Sequence, residues 1–259
     1  MQTVEERAHG NFCNWIRWTA RLDPDTATID ESGILALAGS VDFPTSRTAI
    51  RWDHSIPAQQ WAETVDTFFA SRGKTACVHA RTGIDDELAD QLLERGFREW
   101  TTTPEMVCEH ALEPRDPPHG VTVRLADSPA DITAYARIAA EAFAHLLLPH
   151  DATIGAVDHP NEFLAPDCVV ALAEIDGEPV AGAQVLLLDG NRNGYVAWVS
   201  CTDAARGRGL GDTVTRAVTS EAFRRGATFV SLEASPFGEH TYARMGYREL
   251  YRYRMLLRL

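Results

Sequence analysis

The amino-acid sequence predicts an α/β (more narrowly α+β) protein with two mixed central sheets flanked by helices, the first half being shortened. Three observations predict this class. Apolar alternation and helical periodicity over 121–259 give the element order β-α-(α)-β-β-β-α-β-α-β-β. A proline-bearing segment at 114–120 divides the chain. The heptapeptides 93–99 (LERGFRE) and 243–249 (ARMGYRE) are similar, and each follows a predicted strand and short helix.

These observations set the predicted domain boundaries at 1–113 and 121–259, with a linker at 114–120. In the first domain, Pro57 suits the first turn of a helix, and Asp85 suits the start of another. The predicted strands of this domain cover 34–38, 45–52, 74–80 and 99–109, and its helices run from Pro57 to Gly73 and from Asp85 to Gly96.

The second domain opens with an alternating strand and a helix, and it has a hairpin around Asp176-Gly177. A loop with about one helical turn is expected over 149–166. The other predicted elements are strands at 121–125, 168–174, 180–188, 195–199 and 228–234, helices at 131–147 and 214–225, and a short helix that ends at Gly246.

A glycine-rich turn joins the strand 195–199 to the helix that follows it. The turn reads Arg206-Gly207-Arg208-Gly209-Leu210-Gly211. Glycine lets a backbone approach a ligand closely, and the first amides of a helix, with its dipole, favour an anion. The two arginines add charged donors. The turn therefore predicts a phosphate or pyrophosphate site.

The spacing of this turn separates it from two common phosphate loops. A dinucleotide fold requires G-x-G-x-x-G after its first strand, whereas here the glycines read G-x-G-x-G late in the chain. A Walker loop requires Gly-Lys-Ser/Thr, and Lys74, the only lysine, lies far away. A second motif follows the turn, because Tyr242, Gly246 and Tyr247 form Tyr-x-x-x-Gly-Tyr after the strand 228–234.

Arg-x-x-Gly-x-Gly followed by this tyrosine motif resembles the GNAT superfamily of N-acetyltransferases over 121–259. The resemblance implies acetyl-CoA as cosubstrate, with its pantetheine arm lying along a splayed strand and its pyrophosphate in the glycine turn. It also implies that Tyr242 is the general acid that protonates the departing thiolate. The implied cofactor-binding residues are Val199, Ser200, Cys201, Arg206, Gly207, Arg208, Gly209, Leu210, Gly211, Asp212 and Ser235.

The general base is less defined. Members of the resembled family often carry a glutamate on the strand before the glycine turn, but 195–202 has neither a carboxylate nor a histidine. Glu233, on the next strand, is the predicted base. His145, His150, Asp151, Asp158, His159 and Glu162 stay open as alternatives, as does a water relay. Cys201 is expected to be a structural thiol, with Asp212 facing the ligand through its backbone.

The first domain is expected to be a degenerate copy of the second, without a CoA loop. The segment 53–60 contains no glycine, Pro57 removes an amide, and Asp53 would repel phosphate. Leu92 stands where the second copy has Tyr242. An unrelated small α/β domain is the alternative.

Composition limits the classes of function. The net charge of −13 argues against nucleic-acid binding. No long apolar run indicates a membrane span, and no apolar N-terminal stretch indicates a secretion signal. Five scattered cysteines have no metal-ligand spacing and predict reduced thiols in a cytoplasmic protein without a metal.

We therefore expect an N-acetyltransferase that acts on a primary amine of a small molecule or protein, as a monomer or homodimer. A non-catalytic acyl-CoA-binding sensor or regulatory module is the alternative, because the strand glutamate is missing.

Overall fold

The computed structural model describes residues 2–41, 46–113, 115–146 and 148–258. Thr45, Pro114 and Leu147, at the edges of a predicted strand, the predicted linker and a predicted helix, lie outside these ranges. The chain forms two compact units. Unit 1 consists of Met1–Glu105 together with Glu249–Leu259, and unit 2 consists of Met106–Arg248.

The elements follow one another along the chain with short connections. The first part contains α1 (Val4–Thr19), β1 (Ala27–Glu31), β2 (Ile34–Ala38), β3 (Thr48–Arg51), α2 (Ala58–Ala70), β4 (Cys77–Arg81), α3 (Asp86–Glu94) and β5 (Arg98–Cys108). The rest contains β6 (Val121–Leu125), α4 (Pro129–Phe143), a 3-10 turn (Ala144–Leu146), α5 (His150–Val157), α6 (Pro160–Phe163), β7 (Cys168–Ile175), β8 (Glu178–Leu188), β9 (Asn193–Cys201), a 3-10 turn (Asp203–Ala205), α7 (Leu210–Arg224), β10 (Val230–Glu233), α8 (Glu239–Met245) and β11 (Arg248–Leu257).

Unit 1 is a mixed sheet with strand order β1-β2-β3-β4-β11-β5. The pair β3–β4 is parallel, because α2 connects the two strands as a crossover. The predicted apolar face of α2 is confirmed, since Trp61, Val65 and Phe69 are buried against this sheet. Helix α1 and strand β1 were not predicted. A capping box of Thr3 and Glu6 begins α1, and this spacing was the available signal.

The last strand differs from the predicted domain division, because β11 belongs to unit 1. It pairs antiparallel with β4, with Tyr253 opposite Arg81 and Leu257 opposite Cys77. Leu256 is fully buried in the core of unit 1. Residues 248–257 are rich in apolar and aromatic side chains that suit a strand, but only long-range pairing decides which sheet receives it. The predicted boundary at 121–259 therefore does not match the grouping in space.

Unit 2 is a mixed sheet in the order β10-β9-β8-β7-β6. Strands β6 to β9 are antiparallel neighbours, whereas β9 and β10 are parallel and are connected through α7. Val214, Val218 and Ala222 of α7 pack against Ala183 and Val185 of β8. The hairpin predicted at Asp176-Gly177 is confirmed, with φ of +53° and +83° at these two residues.

Two expectations for the second part were wrong. The expected loop at 149–166 contains α5 and α6, and Pro149 and Pro160 occupy the starts of these helices, where proline is tolerated. The expected pair of closing strands is the single strand β11, because no turn residues interrupt 248–257.

Two buried histidines make unit 1 sensitive to acid. Burial and the nearby Arg81 lower the pKa of His9 to about 3, and burial lowers the pKa of His79 to about 4. The ordinary pKa is 6.5, so the unfolded chain takes up protons below that value while the folded chain does not. The contribution of these two histidines to the free energy of unfolding is therefore fully present above pH 6.5. It is lost as the pH drops through 5 toward 4.

Each of these histidines is expected to reduce the free energy of unfolding by about 2 kcal/mol between pH 7 and pH 5. Urea unfolding at the two pH values measures this difference. A His79→Gln variant should show a smaller pH dependence, whereas the exposed His119→Gln control should match the wild type. If the free energy of unfolding changed by the same amount between pH 7 and pH 5 in all three proteins, this interpretation would be contradicted.

Candidate active site

The parallel strands β9 and β10 separate at their carboxyl ends. Their register pairs Gly194 with Val230 and Tyr195 with Ser231. Beyond Tyr195, β9 continues to Cys201, and no further β9–β10 pair occurs among the described residues. One edge of β9 therefore presents backbone groups that a ligand can bond, in the manner of an added strand.

The glycine turn forms an open cradle where β9 leads into α7. Gly207 and Gly209 have φ of +75° and +76°, a conformation that favours glycine. A Cβ placed on either residue would meet no atom within 4 Å, so the space in front of the turn is open. Gly209 is the N-cap of α7, and the amides of Leu210, Gly211 and Asp212 have no partner inside the helix. The turn therefore combines amides that lack a partner inside the helix with open space at two glycines, and anion binding there stays a prediction.

The two arginines of the turn differ in their contacts. Arg206 donates to Asp203 Oδ1 at 3.0 Å and to the Ala142 carbonyl at 3.3 Å, so it fastens the turn to α4. Arg208 is exposed, and it forms no ion pair within the described ranges. Arg208 is therefore the arginine whose guanidinium is available to a phosphate.

Asp212 lies in the first turn of α7, but its carboxylate is already neutralised. Arg216 Nε lies 3.0 Å and Arg115 Nη1 lies 3.5 Å from Asp212 Oδ2. A paired carboxylate repels a phosphate less than a free one does, so this contact supports the expectation that Asp212 faces a ligand through its backbone.

The end of β9 lies beside the cradle. Val199 and Cys201 pack against the core of unit 2, and Val199 Cγ1 is 3.9 Å from the position of a Cβ on Gly211. Ser200 is buried, and its hydroxyl donates to the Gly182 carbonyl at 3.4 Å. Burial raises the pKa of the Cys201 thiol, which disfavours the thiolate that a nucleophile requires.

Tyr242 lies on α8, in the same hydrophobic cluster as Val199 and Leu210. Burial raises the pKa of its hydroxyl above the ordinary range, so the phenol remains protonated and can donate a proton or hydrogen bond. Gly238 leaves room for this ring, because a Cβ there would lie 2.6 Å from Tyr242 Cε2. Gly246 ends α8 with φ of +110°, as the motif predicts.

Glu233 and Ser235 lie two positions apart where β10 ends. Glu233 is the last residue of the strand and is partly buried. Ser235 forms the turn before α8, where its carbonyl accepts the amides of Gly238 and Glu239. Because parallel strands end at the same edge of a sheet, these residues and the end of β9 flank the same gap.

A cluster at the end of α4 was not predicted as a unit. His145 Nε2 lies 2.9 Å from Asp203 Oδ1, and Glu141 accepts the Asp203 amide at 2.7 Å. These residues are about 60 positions apart, so no local pattern could connect them. The cluster braces the start of the glycine turn.

No group of three or more His, Cys, Asp or Glu side chains could hold a metal ion within the described residues. None of the five cysteines forms a disulfide bond. No described helix is both long enough and apolar enough to span a membrane.

Comparison with known proteins identifies the class of this domain. Residues 132–247 match the model of the acetyltransferase (GNAT) family. This range contains most of α4, the glycine turn, the separated strands and Tyr242. Residues 132–247 therefore form a GNAT acetyltransferase domain.

Solved structures share the fold of the whole chain. A GCN5-related N-acetyltransferase from Kribbella flavida has a TM-score of 0.76 at 22% identity, over 99% of this chain and 96% of its own. A GCN5-related N-acetyltransferase from Sphaerobacter thermophilus has a TM-score of 0.63 at 17% identity, over 88% and 81%. A functionally unknown conserved protein from Staphylococcus epidermidis has a TM-score of 0.63 at 17% identity, over 90% of this chain and 94% of its own. At these identities the likeness concerns the fold alone. No curated protein matches the sequence.

Proposed function

We propose that the protein is an N-acetyltransferase that moves an acetyl group from acetyl-CoA to a primary amine of a small molecule or protein. The observation that carries this proposal is the open glycine cradle at the start of α7, next to the unpaired edge of β9 and the protonated Tyr242. Acetyl-CoA would supply an acetyl thioester, whose C–S bond breaks as the acceptor nitrogen forms the new amide bond.

Different residues have different roles in this reaction. The amides of Gly207 to Asp212, together with Arg208, hold the pyrophosphate. Val199, Ser200 and Cys201 offer backbone bonds to the pantetheine arm, and Ser235 lies near the gap. An amide at Val199 can stabilise charge on the thioester oxygen. Tyr242 donates its proton to the departing sulfur. Glu233, at the end of β10, is the proposed base that keeps the acceptor amine neutral.

The first test is calorimetric titration of acetyl-CoA into the protein, followed by assays of CoA release with alkylamines, amino sugars and lysine-bearing peptides. Binding at one site together with release of CoA supports the enzyme. Absence of binding would refute the cofactor assignment. Tight binding without turnover would favour the acyl-CoA sensor, which the lack of a carboxylate on β9 keeps as the second candidate.

A Tyr242→Phe variant tests the role of the general acid. We expect kcat to fall roughly hundredfold, because proton transfer by a positioned side chain contributes about 10²–10⁴. The dissociation constant of acetyl-CoA should stay within about twofold. Steady-state kinetics and calorimetry measure the two quantities.

Tyr247→Phe is the matched control, because it removes another buried hydroxyl, which pairs with Thr219 Oγ1 at 2.7 Å. This control should keep kcat. If the Tyr242→Phe variant keeps kcat as well, Tyr242 is a packing residue.

We also propose that unit 1 is a degenerate copy of unit 2. The series α1-β1-β2-β3-α2-β4-α3 repeats the order α4-β7-β8-β9-α7-β10-α8, except that α5 and α6 follow α4 in unit 2. Both series pair their strands antiparallel, antiparallel and then parallel. Between β3 and α2, residues 52–57 contain no glycine.

The ends of β3 and β4 in unit 1 are occupied by charged side chains. The buried Asp85 carboxylate lies 4.0 Å from Arg51 and 3.6 Å from Arg81, and it accepts the Arg81 amide at 3.1 Å. His54 Nε2 lies 3.2 Å from Asp85 Oδ1. These contacts support a copy that has lost its CoA site.

A further inference from the structure

Strand β9 contains a bulge at Trp198 and Val199. The β8–β9 register pairs Gly182 with Ser200 and Gln184 with Ala197, so two residues of β9 face Ala183 alone. Trp198 has φ of +52°, which is unfavourable for a bulky side chain. Such a conformation persists only where surrounding contacts hold it.

Tyr135, on α4, supplies the holding contact. Its hydroxyl donates to the Trp198 carbonyl at 2.8 Å, and its side chain is fully buried. Gly182 of β8 leaves space for the ring, because a Cβ there would lie 2.5 Å from Tyr135 Cδ2. Phe143 packs edge-on against the Trp198 indole, at 4.9 Å between centroids. The bulge is thus fixed from the α4 side.

The bulge lies within the unpaired part of β9, where the proposed thioester site is located. It follows Tyr195, the last residue paired with β10, and Val199 packs against the hydrophobic cluster that includes Leu210 of α7. Burial raises the pKa of Tyr135 well above its ordinary range, and the nearby Tyr242 adds to this effect. The Tyr135 hydroxyl therefore stays protonated and can donate to the Trp198 carbonyl.

The direction of the Trp198 carbonyl determines the direction of the next amide. In a planar trans peptide unit, the C=O of residue 198 and the N–H of Val199 point in opposite directions. Because Tyr135 draws the carbonyl toward α4, the Val199 N–H is turned away from α4. A donor that is fixed before the reaction stabilises developing charge without reorganisation.

We propose that Tyr135 is a positioning residue for acetyl transfer, which acts by holding the Trp198–Val199 peptide so that the Val199 N–H faces the thioester oxygen. This inference rests on the proposed acetyltransferase function. Tyr135 touches neither substrate nor cofactor in this role; it acts through the backbone of the bulge.

A Tyr135→Phe variant tests the inference, because it keeps the ring and removes only the hydroxyl. We expect kcat to fall roughly tenfold to hundredfold, as small displacements of catalytic groups do, while the dissociation constant of acetyl-CoA stays within about twofold. Hydrogen exchange of the amides at 197–200 in the ligand-free protein should become faster. This second readout does not depend on turnover.

Tyr253→Phe is the control for loss of a buried hydroxyl, since Tyr253 bonds His9 Nδ1 at 2.9 Å in unit 1. It should lower stability yet leave kcat and exchange at 197–200 unchanged. A second variant, Gly182→Ala, pushes the Tyr135 ring aside and should reproduce the Tyr135→Phe kinetics. The double variant should lose no more than either single one, because both act on one contact.

The outcomes separate this inference from the function on which it rests. A wild-type protein that binds no acetyl-CoA, or that binds it without turnover, refutes both. A wild type that transfers acetyl groups while Tyr135→Phe keeps kcat and unchanged exchange overturns the positioning role alone. Equal losses of kcat in Tyr135→Phe and Tyr253→Phe would also overturn it, because they would reflect lost stability only.

Discussion

Replacing Gly209 by glutamate is expected to weaken acetyl-CoA binding by more than roughly hundredfold. Gly209 adopts φ of +76° at the N-cap of α7, in front of open space. A side chain there adds backbone strain of about 1–3 kcal/mol and fills the cradle. Its carboxylate would occupy the place of the phosphate and use the amides that should bind it. Calorimetric titration of acetyl-CoA measures the loss.

Gly190→Glu is the matched control for this change. Gly190 has φ of +62° and equally open surroundings, but it lies in the turn before β9, at the opposite end of that strand from the cradle. Strain and charge are therefore the same in both variants, and only the location differs. The control should bind acetyl-CoA like the wild type. If both variants bind normally, the glycine turn is not the pyrophosphate site.

Ending the chain after Arg248 is expected to unfold unit 1. The deletion removes β11, whose Tyr253, Met255, Leu256 and Leu257 are buried. At about 1.5–3 kcal/mol for each large apolar side chain, the loss is roughly 6–12 kcal/mol, comparable to the entire stability of a domain. It also leaves β4 without the antiparallel partner described above. Intrinsic fluorescence reports the result, because Trp15, Trp18, Trp52, Trp61 and Trp100 all lie in unit 1.

A substitution inside β11 tests the same idea with a folded protein. Leu256→Ala should reduce the free energy of unfolding by about 2–5 kcal/mol, because this side chain is fully buried. Leu125→Ala makes the same chemical change at a partly exposed position of β6, and it should cost much less. The chain that ends after Arg248 can be unfolded in the same way. If its tryptophan fluorescence showed the same unfolding transition as the wild type, unit 1 would fold without its last strand.

The sequence was sufficient for those parts of the site that depend on local geometry. The order strand, glycine turn and helix at 193–224 follows from residue types and spacing, and so does the left-handed cap at Gly246. The hairpin at Asp176-Gly177 is equally local. The helices missed at 4–19 and 150–157 were also encoded locally, by a capping box at Thr3 and by Pro149 as a helix start.

Contacts between distant residues could not be predicted. The sequence offers both Arg206 and Arg208 as donors to a phosphate, but the structure shows Arg206 held by Asp203 and α4. The bond from Tyr135 to the Trp198 carbonyl joins residues 63 positions apart. The sequence gives no signal for the bulge that this bond holds, because its positive φ belongs to a tryptophan and not to a residue typical of turns.

The sequence by itself determined the class of the second half, its glycine turn between β9 and α7, and the position of Tyr242 on α8, because turns, caps and helix starts depend on neighbouring residues. Only the tertiary structure decided that β11 completes unit 1, that Arg206 is held by Asp203 and α4, and that the Tyr135 hydroxyl bonds the Trp198 carbonyl. Strand pairing and side-chain contacts bring together groups from distant parts of the chain, and hydrophobic periodicity records only that a face is buried, not what covers it.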